Sequence, residues 1–94
     1  MPALSTAEVQ GRLAAVAGWR LDAGEIRGTF KFADFKQAMS FVNRIAAAAE
    51  EAQHHPDIDI RYNTVHLSLS THDEGGVTDK DFNLAARVNQ ISQM

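Results

Sequence analysis

Asp57-Ile58-Asp59-Ile60-Arg61-Tyr62-Asn63-Thr64-Val65-His66-Leu67-Ser68-Leu69-Ser70 is the stretch that decides the fold. Ile58, Ile60 and Tyr62 alternate with Asp57, Asp59 and Arg61. After Asn63, the residues Val65, Leu67 and Leu69 alternate with His66, Ser68 and Ser70. A period of two marks strands that bury one face each. One-sided strands belong to antiparallel sheets. Asn63 suits the tight turn between them. The segment therefore predicts a hairpin.

Moving outward, a second hairpin precedes it. Ile26, Gly28, Phe30 and Phe32 alternate with Arg27, Thr29 and Lys31, and a short strand around Trp19-Arg20-Leu21 comes before. Asp22-Ala23-Gly24 joins the two as a turn. Helices fill the spaces around the hairpins. Ser5-Thr6-Ala7-Glu8 is a capping box, with Leu4 and Val9 as its hydrophobic staple. Asp34-Phe35-Lys36-Gln37 and Thr78-Asp79-Lys80-Asp81 repeat the pattern, the last with Val77 and Phe82 as staple. Helices are expected over 6–17, 35–53 and 79–92. In the middle one, Ala38, Phe41, Val42, Ile45, Ala46, Ala49 and Ala52 form one apolar face, widened by Phe35 and Met39. Leu84, Val88 and Ile91, beside Phe82 and Ala85, do the same for the last. The predicted fold is α+β in the order α-β-β-α-β-β-α. A four-stranded antiparallel sheet carries three helices on one face, and residues 1–94 make a single domain.

Composition sets the function classes. The chain has 94 residues, of which 45% are apolar and 22% charged, with a net charge of −3. A core of this size is limited, so self-association is an expected source of stability. No long basic run offers phosphates a cationic face, which argues against nucleic acid as partner. With no cysteine, disulfides, thiolate metal sites and thiol nucleophiles are excluded. No apolar run reaches the roughly 20 residues of a membrane helix. The first residues lack a signal-peptide pattern, so a cytoplasmic location is expected.

The candidate site lies at the element boundaries. His54 and His55 precede Pro56, and His72 follows the last strand. Imidazole exchanges protons near neutral pH, and grouped imidazoles suit acid-base work. Proline pushes His55 out of helical geometry, so the two rings diverge. Either one of them only caps the helix C-terminus, or both serve a site. Strand parity puts His72 on the polar face with His66, Ser68 and Ser70. His66 itself reads as an ordinary sheet-face residue. Asp81 stands at N3 of the last helix, where it completes the cap and is also placed to orient an imidazole. Glu50 and Glu51 lie one turn before the histidines. Adjacent histidines diverge too far to share a metal, and no helix carries His-x-x-x-His, so no metal site is expected. A nucleophile elbow and a phosphate-binding loop are also missing.

Residues 50–58, Tyr62-Asn63, Val65, Leu67, Leu69-Ser70-Thr71-His72 and 77–81 together resemble the pterin-4a-carbinolamine dehydratases. Gly18-Trp19 and residues 30–35 also look like that family, so the resemblance spans nearly the whole chain. It implies an α+β fold of the kind derived above, with sheet-edge dimers and helix-mediated tetramers. It implies loss of water from a 4a-hydroxytetrahydropterin to give quinonoid dihydropterin, recycling the pterin cofactor of aromatic amino acid hydroxylases. It assigns binding and acid-base roles to His54, His55 and His72, with Asp81 supporting them. Substrate contacts are expected from His55, Pro56, Glu50, Ser70 and Thr71, with no cofactor and no metal. Gln53 departs from the Asn or Asp common before the histidine pair. Animal members of the family also act as dimerisation partners of a transcription factor. A non-catalytic protein-binding or pterin-binding module is therefore the alternative reading.

Overall fold

The computed structural model describes residues 2–94. Its elements are α1 (Thr6–Leu13), β1 (Trp19–Asp22), β2 (Glu25–Lys31), α2 (Phe35–Ala52), β3 (Asp57–Arg61), β4 (Thr64–Leu69) and α3 (Asp79–Ser92), with a short 3-10 turn at His72–Glu74. The fold is α+β in the expected order, α-β-β-α-β-β-α. The four strands form one antiparallel sheet in the order β1-β2-β4-β3.

Alternation sets which face β1, β2 and β4 bury, whereas the edge strand β3 buries no residue: Ile58 is exposed and Ile60 half-buried. Ile26 pairs with Leu69, Gly28 with Leu67 and Phe30 with Val65, all facing the helices. Thr29 pairs with His66 and Arg27 with Ser68 on the opposite, polar face. Gly28 is required here: a Cβ would come within 2.9 Å of the Trp19 ring. That ring also donates its Nε1–H to Asn89 Oδ1 at 2.9 Å, tying β1 to α3.

The helices start where the sequence says. Ser5, Asp34 and Thr78 are the N-caps, and the first and third close full capping boxes. α2 buries Ala38, Phe41, Ile45 and Ala49, while α3 buries Phe82, Leu84, Ala85, Val88 and Ile91. Both stripes join the sheet's inner face in one core.

Three boundaries differ from expectation. α1 stops at Leu13 rather than residue 17. Beyond it, Ala15 and Val16 bond to Arg12 and Leu13, so the chain tightens to i→i−3 turns. That turns Val16 into the core before Gly18, at φ 87°, redirects the chain into β1. α2 ends at Ala52, one residue early, because Gln53 adopts the left-handed conformation. Tyr62 is not part of the strand alternation. With Arg61 paired to Thr64, it becomes a turn residue at φ 53°, and it is 66% exposed.

Candidate active site

The left-handed turn at Gln53 separates the two histidines. Its N–H bonds to Ala49 and Glu50 at the end of α2, with φ 51° and ψ 41°. His54 N–H still reaches the Ala49 carbonyl at 3.1 Å. Pro56 then forces the chain away from helical geometry. As a result the His54 side chain turns inward and is only 12% exposed, while that of His55 remains 60% exposed.

His54 meets Asp81 behind the surface. Its Nε2 lies 2.5 Å from Asp81 Oδ1. Asp81 is wholly buried, so its remaining acceptor capacity must be filled from within. Oδ2 accepts the Thr78 backbone N–H at 2.8 Å and the Thr71 hydroxyl at 2.9 Å. Thr71 and Thr78 hydroxyls are 2.8 Å apart. Thr71 has one hydroxyl hydrogen and gives it to Asp81, so Thr78 donates to Thr71. The Thr78 oxygen in turn accepts the Lys80 N–H at 3.3 Å. Both roles foreseen for Asp81 are therefore filled: it caps α3 and it holds His54. A carboxylate on Nε2–H fixes the tautomer and leaves Nδ1 as the nitrogen free for chemistry.

Thr71 is fixed by the bridge beyond β4. Its N–H bonds to Gly76 O at 2.7 Å, and Gly76 N–H returns to Thr71 O at 3.3 Å. This closes the 72–75 turn, in which Gly75 takes φ 77°. His72 opens that turn and is exposed. β4 ends at Leu69, so His72 stands beyond the strand, in the 3-10 turn. His72 lines a cleft of about 290 Å³ together with Gln53, His54, His55, Ser70 and Thr71. His66 lies on the outer sheet face instead, 3.0 Å from the Thr29 hydroxyl.

The cleft thus gathers all three predicted histidines, with Ser70 and Thr71. Glu50 and Pro56 do not line it. Glu50 bonds His55 Nε2 at 2.6 Å from an exposed position. Asp81 stands behind His54 rather than in the cleft, as a positioning residue. Sequence reasoning missed Asp73 and Lys80, which complete the lining. Lys80 was readable only as part of a cap; its neighbour Asp81 fixes where its side chain starts. Among the described residues no three His, Cys, Asp or Glu side chains converge as metal ligands. Three imidazoles bordering one small polar cleft are groups able to give or take protons there.

The sequence profile of the family described as pterin 4 alpha carbinolamine dehydratase matches residues 2–91. A protein of Chloroflexus aurantiacus, provisionally named a pterin-4-alpha-carbinolamine dehydratase, is 54% identical over 91 residues, 97% of this chain and 98% of its own. A similarly named protein of Acidobacterium capsulatum is 50% identical over 97% of this chain and 99% of its own. Among solved structures, a transcriptional coactivator/pterin dehydratase from Brucella melitensis superposes with a TM-score of 0.91 at 38% identity. That match covers 96% of this chain and 98% of the other.

Proposed function

Because this chain belongs to the pterin 4 alpha carbinolamine dehydratase family, a family of hydro-lyases, we propose that it catalyses dehydration of a 4a-hydroxytetrahydropterin. The product is the quinonoid dihydropterin, returned to aromatic amino acid hydroxylases. The observation that carries this reading is the buried Asp81–His54 pair opening on the same cleft as His72.

The reaction breaks the C4a–O bond and removes a proton from the adjacent ring nitrogen. Hydroxide is a poor leaving group, so one group must protonate the departing oxygen and another must accept the ring proton. His72, protonated, supplies the first proton and releases water. Neutral His54, held by Asp81 through Nε2–H, accepts the second at Nδ1. A C4a=N double bond forms, one proton enters, one leaves, and no electrons are exchanged with a cofactor. His55 steers the ring at the cleft edge, with Ser70 and Thr71 forming its floor. Residues 1–94 act as one catalytic unit in the cytoplasm.

Stopped-flow ultraviolet measurement of the dehydration, wild type beside His54→Ala and His72→Ala, tests this. Acceleration by wild type and a loss of about 10²–10⁴ in kcat in each variant is the expected outcome. A folded wild type that gives no acceleration would overturn the reading.

The outer side of α2 favours assembly. Phe35 is 50% exposed there and shares a shallow groove with Met39 and Ala47. We read this surface as a self-association face giving a homodimer or homotetramer. Light scattering checks it, since a stable monomer would leave the face free for another protein, the second reading of the chain.

A further inference from the structure

A second hollow, of about 330 Å³, adjoins the cleft and shares His54 and Lys80 as its near wall. It arises from side-chain size. Ala48 and Ala52 on α2 face a stripe of Lys80, Asn83, Leu84 and Arg87 on α3, and the alanines leave the space between the helices unfilled. The α3 residues recur at intervals of three and four, so they share one side of the helix. Lys80 and Arg87 stand two turns apart, about 10 Å along the axis.

The hollow's charge is unusual for an acidic chain. Neither Lys80 nor Arg87 forms an ion pair among the described residues, whereas Arg12, Arg27 and Arg61 all do. Glu51 borders the same space from α2 and pairs with neither cation. Two unpaired cations against one carboxylate leave the lining with an excess positive charge. Asn83 adds an amide able to donate to an oxygen. A guanidinium presents a fork of donors suited to a carboxylate or phosphate.

Resting on the dehydratase reading, we propose that this hollow is a specificity subsite for an anionic group on the side chain of the pterin substrate. The ring reacts in the His54–His72 cleft, and its substituent passes the His54–Lys80 boundary into the space between α2 and α3. There a carboxylate or phosphate meets Arg87, with Lys80 at the entrance. Substrates with neutral side chains lack this contact.

The test compares kcat/KM for three 4a-hydroxytetrahydropterins: one with a 6-methyl group, one with a phosphomonoester side chain and one with a glutamyl side chain. The wild-type ratio of anionic over neutral substrate is expected to be tenfold or more, declining as ionic strength rises. Arg87→Gln should bring that ratio close to one, and Arg87→Lys should restore much of it. Whichever anionic substrate gives the larger ratio identifies the preferred group. A wild type that turns over the 6-methyl substrate with a ratio near one overturns the subsite and leaves the dehydratase reading standing. So does a ratio that survives unchanged in both Arg87→Gln and Lys80→Gln. Failure to turn over any of the three substrates overturns both readings.

Discussion

Two capping boxes in this chain have the same sequence logic and opposite fates. Ser5 and Glu8 close the start of α1 at the surface, with Ser5 N–H donating to Glu8 Oε1 at 2.8 Å. Thr78 and Asp81 close the start of α3 inside the protein, with Thr78 N–H donating to Asp81 Oδ2 at 2.8 Å. The cap distances are equal. What differs is the second carboxylate oxygen. In Asp81 it is buried and faces His54, whereas Glu8 is solvent-exposed. A local motif fixes where a carboxylate stands, and the surrounding packing decides whether it does anything further.

The histidine pair repeats the contrast. His54–Asp81 and His55–Glu50 are 2.5 and 2.6 Å apart, nearly the same. In the first pair the carboxylate is buried and held by two threonines with the imidazole largely covered, and the second is exposed on both sides. Exposed pairs of the latter kind contribute little, because water competes for both partners and the side chains lose freedom.

The largest effect should come from Asp81→Ala. It orphans the Thr78 N–H, the Thr71 hydroxyl and the His54 ring N–H together. Each buried orphan costs about 1–3 kcal/mol, so a total loss of at least ~3 kcal/mol is expected in denaturant unfolding, together with loss of turnover. A stable, active Asp81→Ala would erase the distinction between the two boxes. His54→Ala should come next, and its effect falls on chemistry: kcat drops about 10²–10⁴-fold in a protein that still melts cooperatively. His55→Ala sharpens the contrast, since it should raise KM more than it lowers kcat.

Glu50→Gln should change stability by less than about 0.5 kcal/mol, as an exposed pair predicts. A loss several times larger would show that the outer pair is held as firmly as the inner one. The smallest effect belongs to Glu8. The Ser5 backbone N–H, then its hydroxyl, hold the Glu8 carboxyl below its ordinary value. A carboxyl lowered in the folded state adds stability that is present at neutral pH and lost as pH falls through its folded value. Glu8→Gln should therefore flatten the acid limb of the melting temperature against pH, lying slightly below wild type at pH 7 and converging with it in acid.

Legibility followed the same division between local and distant. Hairpins, caps and helix faces were readable because alternation, capping residues and spacing act between near neighbours. α1 was read too long because Val16 leaves the helix to fill the core, a demand set by the sheet. Tyr62 kept the strand's alternation in sequence but lost it to the register of the β3–β4 turn. His72 was grouped by alternation with His66, Ser68 and Ser70, but it shares its cleft with Ser70 alone of these, because the strand ends at Leu69 and the Thr71–Gly76 bridge closes a turn around it.

By itself the sequence determined the α+β order, the antiparallel hairpins, the family resemblance and which imidazoles to suspect. Only the tertiary structure decided how these groups stand to one another. Asp81 and His54 are 27 residues apart, and nothing local requires them to meet. They meet because α2 and α3 bury their apolar stripes against one sheet, which brings the end of one helix beside the start of the other. Burial then leaves the Asp81 carboxylate no solvent to bond, so Thr71, Thr78 and His54 must satisfy it, and that need fixes the imidazole at the cleft.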